Sequence, residues 1–317
     1  VTESVSLEAL RVRRELPPLH SPEDERLFAA ERERHFPAVA AERVSGEFFP
    51  AGWHADLGGW KGAVKSLVVR ATTRTQRFRA SEGRTPLIAT DRFTNGYFHW
   101  VTETLPRLWW LRERLAELEL ILPEFASRFT YMTESLAFFP TLRTQTIQAK
   151  VRWSVKDALL LPATAPTGNY RPELMQGLSA ALRSAVGDPA PVRRLYVSRS
   201  RAARRRIVNE PELRAVLEPK GFETVHLEGQ PFLHQVKLLA QTTHLISNHG
   251  AGLTNMLFMS PGSRVTEIRL RGDDHNNCYF SLARALGLEY DYRLADAARP
   301  GEGAHTADVV VAPENFA

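Results

Sequence analysis

Residues 246–268 read ISNHGAGLTNMLFMSPGSRVTEI. A short apolar strand runs into His249-Gly250-Ala251-Gly252, an apolar helical stretch follows from about Leu253 to Met259, and a β-branched strand begins after Gly262. Strand, glycine turn, helix and strand make up the repeating unit of a parallel sheet. The chain must reverse sharply after Ile246, and glycine tolerates the positive φ that such a turn often demands. Successive N–H groups at a helix start, backed by the helix dipole, suit an anion with several oxygens. The plain alternative is a helix start packed closely on a strand, with no ligand. A lone Gly-x-Gly does not separate the two.

The same alternation extends through the C-terminal half. RRLYVSR (193–199), FETVHLE (222–228), HLIS (244–247) and SRVTEIRL (263–270) read as strands. Between and after them, NEPELRAVLEPKG (209–221), PFLHQVKLLAQT (231–242) and CYFSLARALGLEY (278–290) supply helices. Asn209 with Glu212 forms a capping-box pattern. Strands and helices at this spacing predict a parallel sheet covered on both faces, with ligands outside the carboxyl ends of its strands. The glycine turn stands at one such end.

The first half is less regular. SPEDERLFAAERERHF (21–36) is helix-prone, with Ser21 and Pro22 as its start. KSLVVRATT (65–73) and TPLIATD (85–91) predict strands. HWVTETLPRLWWLRERLAELELIL (99–122) predicts one long helix, with Val101, Leu105, Leu108, Leu111 and Leu115 on one side and Pro106 kinking or delimiting it. DALLLPATAPTGNYRPEL (157–174) pairs a strand with a Pro/Gly-rich exit, which divides the chain into residues 1–162 and 163–317.

An apolar fraction of 43% in 317 residues is enough for a buried core or two. The net charge of +5 is carried mainly by arginine, which fits anionic ligands and equally fits a GC-rich coding bias. Cys278 is the only cysteine, so a disulfide framework and a thiolate metal cluster are excluded, and a reducing compartment fits. No stretch approaches the roughly 20 apolar residues of a membrane span. The expectation is a cytoplasmic protein, its basic surface able to touch a membrane from the inner side.

Three further stretches carry chemistry. In YVSRSRAARRRIVNE, Arg199 follows a strand and Arg201, Arg204, Arg205 and Arg206 crowd the loop behind it. Guanidinium forks match phosphate oxygens bidentately, and Arg199 with one of Arg205 or Arg206 are the candidates, the others reading as solvated. Glu267, inside an apolar strand, could accept both hydroxyls of a ribose or pair with Arg264 or Arg269. In DRFTNGYFHWVTETLPRL, His99, Glu103 and Arg107 share a helix face opposite the leucines. An imidazole and carboxylate so held can act as a general base and its orienter, or be an exposed polar pair. GDDHNN (272–277) lacks a spaced third ligand for a metal. No nucleophile elbow, Walker loop, recognition-helix motif or aromatic stacking platform is present, which argues against a nucleic-acid partner.

NGYFHWVTETLPRL, LYVSRSRAARRRIVNE and SNHGAGLTNMLFMSPGSRVTEI, in that order and followed by CYFSLARALGLEYDY, together resemble glycosyltransferase family 61 over roughly residues 91–292. The resemblance implies an α/β, GT-B-like fold: two Rossmann-like lobes facing across a cleft, residues 1–162 on the acceptor side and 163–317 holding the nucleotide-sugar. It implies an inverting transferase that needs no metal and no cofactor, using a nucleoside-diphosphate sugar, UDP-linked by the family's habit and carrying N-acetylglucosamine or a pentose. The acceptor would be a glycan or glycoconjugate hydroxyl in surface or capsular polysaccharide biosynthesis. Carried over by position, Arg199, Arg205 or Arg206, His249, Gly250, Ala251, Gly252 and Glu267 would bind the donor. His99 and Glu103 would be catalytic, with Asn95, Trp100 and Arg107 on the acceptor side. The competing expectation is a nucleotide-binding protein that no longer transfers sugar.

Overall fold

Six strands, labelled in chain order, build the sheet around the glycine turn: β1 (Arg193–Val197), β2 (Phe222–Val225), β3 (Thr242–Asn248), β4 (Arg264–Leu270), β5 (Glu289–Ala297) and β6 (Val309–Val310). Their order is β2-β1-β3-β4-β5-β6. The first five run parallel and β6 is antiparallel. Leu195, Tyr196, Val197, Leu245, Ile246, Val265 and Ile268 are buried, the continuous apolar runs that a sheet covered on both faces requires. The chain passes from β1 outward to β2 and then back across to β3. The gap between the carboxyl ends of β1 and β3 is therefore the point where the winding reverses, the usual ligand crevice of such sheets.

The computed structural model describes residues 5–48, 75–148, 151–273, 276–303 and 305–316. Two compact units emerge: Val1–Glu8 with Ala38–Thr164, and Ala9–Pro37 with Ala165–Ala317. Both are α/β with largely parallel strands. Ala9–Pro37 thus packs in the second unit, although the linear division grouped it with the first. Phe28 sits fully buried against Phe280 and Tyr292, Tyr292 Oη donates to Asp24 at 2.6 Å, and buried Arg14 reaches both Glu31 (2.7 Å) and Ser281 (3.1 Å).

The same contacts shorten the helix expected from Ser21. Pro22 does begin helical structure, but it runs only as Pro22–Asp24, Glu25–Phe28 and Ala29–Glu31, before Glu33–Phe36 pairs with Leu10–Arg13. Residues 21–36 carry no apolar stripe at helical spacing, so tertiary partners decide their conformation. The helix Glu210–Leu217 begins where expected, yet Asn209 makes no side-chain cap. Its amide bonds the backbone of Val311 from both ends instead. The stretch after the glycine turn is a 3-10 helix, Ala251–Phe258.

In the first unit, Glu42–Phe48, Arg152–Leu160, Thr85–Ile88, Leu118–Pro123 and Arg143–Ile147 form a sheet in that order, with Thr75–Arg77 also on Arg152–Leu160. The expected strand 65–73 lies outside the described residues. The long helix starts at Tyr97, widens to a π-turn over Trp100–Thr104 and continues through Leu105–Trp110. Pro106 brings no N–H to the ladder, and just before it Leu105 N–H bonds back five residues to Trp100 O. The helix does not reach residue 122: Leu118–Pro123 is an entirely buried strand between two parallel neighbours. A short apolar run of this kind reads alike as buried strand or buried helix. Among the described residues no helix is long and apolar enough to cross a membrane.

Candidate functional site

At the β1/β3 crevice the Arg199 guanidinium lies against Gly250. A Cβ added to Gly250 would stand 2.3 Å from Arg199 Nη1 and 2.7 Å from Cζ. Gly250 has φ +156° and ψ 178°, a region that only glycine readily occupies. A Cβ on Gly252 would instead meet Val197 Cγ1 at 3.0 Å. The two glycines therefore serve different ends. Gly250 admits a cation, and Gly252 lets the helix start press on β1.

Arg199 is half-buried, and among the described residues its hydrogen bonds run only to the carbonyls of Arg205 (3.3 Å) and Arg204 (3.4 Å). Among the described residues no carboxylate pairs with it. Burial and the nearby Arg205 push its pKa below the ordinary arginine value. Arg205 adopts a left-handed conformation (φ 58°), which turns its carbonyl toward Arg199 and toward Asn248 Nδ2 at 2.8 Å. Its own Nε is buried and has no hydrogen-bond partner among the described residues. Arg206 is occupied: its Nη2 meets Asp308 at 2.8 Å, and its backbone N–H bonds the same carboxylate. Of the two alternatives, Arg205 is the one without a carboxylate partner among the described residues. Arg201 and Arg204 are exposed.

His249 is held at both ends. Nδ1 pairs with the Glu267 carboxylate, and Nε2 lies 2.8 Å from Asn276 Nδ2. Nδ1–H donating to Glu267 and Nε2 accepting from Asn276 satisfy both contacts. Glu267 has no exposed surface, and its other oxygen accepts from Tyr290 Oη at 2.5 Å. Burial works to raise its pKa, but His249, Arg269 and Tyr290 outweigh that and keep the carboxyl below its usual value. With both oxygens taken inside the protein, Glu267 does not face a ribose. It fixes the imidazole beside the turn. Arg264 pairs with Glu289, and Arg269 bonds Asn277 and the carbonyl of Asp273. Ala251 is partly open at the head of the 3-10 helix. Asp274 and His275 of GDDHNN lie outside the described residues.

In the first unit His99 Nδ1 meets Glu103 Oε2 at 3.1 Å, and Glu103 Oε1 is buried without a partner among the described residues. The imidazole stacks on Phe93 at 5.0 Å, and among the described residues its Nε2 takes no hydrogen bond. Two neighbours depart from the expected acceptor side. Trp100 is fully buried and donates Nε1–H to Ser135 Oγ at 2.8 Å. Arg107, expected to look outward, is 4% exposed: it bonds Ala89 O (2.9 Å) and Asp91 (3.0 Å) in the loop after Thr85–Ile88, which lies over that helix face. Asn95 is exposed and accepts from Tyr131 Oη through its carbonyl. Asp91, Asn276 and Tyr290, which position these groups, carry no local signal beyond standing near the ends of strands or helices. Burial tends to raise the Asp91 pKa, but Arg107, the Phe93 N–H and His99 bring it below the ordinary value.

The family model for Glycosyltransferase 61 matches residues 97–266, more than half of the chain. The chain belongs to glycosyltransferase family 61. It is 36% identical over 118 residues to the EGF domain-specific O-linked N-acetylglucosamine transferase of Drosophila melanogaster, covering 36% of this chain and 22% of that one. The Protein O-linked-mannose beta-1,4-N-acetylglucosaminyltransferase 2 of Xenopus laevis is 38% identical over 99 residues, and its Homo sapiens counterpart 35% over 99, each covering 29% of this chain and 17% of the relative. The matches span about a fifth of these relatives' own length.

Proposed function

We propose that the chain transfers a sugar from a nucleoside-diphosphate sugar, UDP-linked, to a hydroxyl of a glycan or glycoconjugate, without a metal and with inversion at the anomeric carbon. The observation that carries this is the Arg199 guanidinium seated on Gly250, with Arg205 beside it, at the reversal point of the sheet. As the bond from the anomeric carbon to the diphosphate breaks, negative charge grows on the departing oxygen. Two guanidinium groups and preorganised N–H dipoles aimed there stabilise that charge selectively in the transition state.

The attacking hydroxyl must shed its proton as its oxygen bonds to the anomeric carbon. His99 is suited to receive it, because Glu103 accepts from Nδ1–H and orients the ring, leaving Nε2 to take the proton. The reading includes a GT-B-like fold, with the unit that carries β1–β6 holding the donor and the other unit serving the acceptor. The relatives' names specify N-acetylglucosamine, which supports it as the sugar. The family resemblance supports an acceptor in surface polysaccharide assembly.

Titration calorimetry with UDP and UDP-N-acetylglucosamine in the presence of EDTA tests the donor site. Binding to the wild type that falls at least about tenfold in Arg199→Ala is expected. NMR of the product's anomeric configuration tests the displacement. A product that keeps the donor's configuration contradicts a single inverting step.

A further inference from the structure

Phe93 is 44% exposed, so burial gives the fold little reason to keep a phenylalanine there. Against its ring lie the Arg92 guanidinium, 4.5 Å from the centroid, and the His99 imidazole. The His99 and Phe93 planes differ by 21° with centroids 5.0 Å apart, an offset stack. Other sides of the imidazole are bounded too. Phe98 meets it edge-on at 5.1 Å, and a Cβ added to Gly96 would stand 3.4 Å from its Cδ2.

Phe93 is itself held. Its N–H donates to Asp91 Oδ1 at 2.9 Å, and its carbonyl accepts from Gly96 N–H at 2.9 Å. Asp91 in turn accepts from Arg107 Nη2 at 3.0 Å. Arg107 stands about two turns past His99 on the same helix. The helix that carries the imidazole therefore also anchors the loop that covers it.

We infer that Phe93 is a positioning residue for His99, its ring fixing the imidazole plane so that Nε2 faces the acceptor hydroxyl. This rests on the base assignment proposed above. The second side-chain torsion of histidine is broad and roughly two-fold. The bond from Nδ1 to Glu103 selects one of the two ring flips, because the opposite flip would turn carbon toward the carboxylate. A single hydrogen bond still lets the ring rock about that contact, and a flat partner on its face removes this freedom. Leucine would fill the space equally well as a plug, but it offers no ring face.

The test compares wild type, Phe93→Leu, Phe93→Tyr and His99→Ala on the full chain. NMR relaxation of the His99 ring, assigned by its absence in His99→Ala, should show a rigid imidazole in wild type and Phe93→Tyr and a mobile one in Phe93→Leu. Release of UDP from UDP-N-acetylglucosamine gives the second reading, with water as acceptor: its oxygen bonds the anomeric carbon, its proton passes to Nε2 and UDP leaves. Phe93→Leu should lower kcat about 10- to 100-fold with the donor KM unchanged, and Phe93→Tyr should restore it. Melting curves check that each variant folds. A His99 ring as rigid in Phe93→Leu as in the wild type, or an unchanged kcat there while His99→Ala is slow, overturns the positioning role and leaves the base standing. If the wild type releases no UDP, or His99→Ala releases it equally fast, the base assignment is refuted and this role with it.

Discussion

Gly250→Ala isolates the contact on which the donor site depends. The added methyl would lie 2.3 Å from Arg199 Nη1 and 2.7 Å from Cζ. An ordinary contact needs roughly 3.5 Å, so the guanidinium must retreat by about 1 Å or more. It is the free end of a flexible side chain, so it swings away and the fold survives. The backbone strain is separate: φ +156° with ψ 178° costs a residue bearing Cβ about 1–3 kcal/mol. For a unit of this size that lowers the melting temperature by roughly 2–12 °C. Losing well-aimed charge-assisted bonds to a diphosphate costs about 1.5–3 kcal/mol, which weakens UDP roughly 10- to 150-fold. The assay is calorimetric titration with UDP beside thermal melts, on Gly250→Ala, Arg199→Ala and the double variant. If alanine acts through Arg199, the double variant binds UDP no more weakly than Arg199→Ala alone. Additive losses in the double variant, or wild-type affinity in a folded Gly250→Ala, would show that Gly250 does not seat this cation.

Gly252→Ala should behave differently, since its Cβ would crowd Val197 Cγ1 at 3.0 Å: lower melting temperature, with UDP affinity in the folded protein reduced less than in Gly250→Ala. His99→Ala should lower turnover about 10²- to 10⁴-fold with donor affinity retained, whereas Glu103→Gln, which keeps the shape, should lower it less; unchanged turnover in both removes the base assignment. Glu267 has a folded pKa below its unfolded value, so its stabilisation is present above about pH 4 and is lost as pH falls through the folded value. The melting-temperature gap between wild type and Glu267→Gln should therefore be widest near neutrality and shrink on acidification; a gap constant from pH 7 to pH 3 contradicts a paired carboxylate.

Where a residue's role was settled by near neighbours, the sequence made it legible. β1, β3 and β4 are apolar runs bounded by turns, and the helices after β1 and β2 start just past Asn209 and Pro231, a polar residue and a proline. Where a partner far along the chain decides, the local pattern was silent or misleading. Asn209 reads as a cap, but Val311, 102 residues away, takes its amide. Arg205 and Arg206 read as equivalent until Asp308, 102 residues on, occupies Arg206. A carboxylate in an apolar strand looks the same whether it meets a ligand or a buried tyrosine, and Tyr290 lies on the neighbouring strand β5.

The pairing of Ser200 with His226, 26 residues on, follows the same logic. Only the order β2-β1-β3 brings the end of β2 to one side of β1 and the end of β3, with Gly250 just past it, to the other. A sequence displays which residues stand at carboxyl ends of strands. Which of those ends are neighbours is a property of the winding, and a ligand spanning two of them is recognised by the winding as much as by the residues.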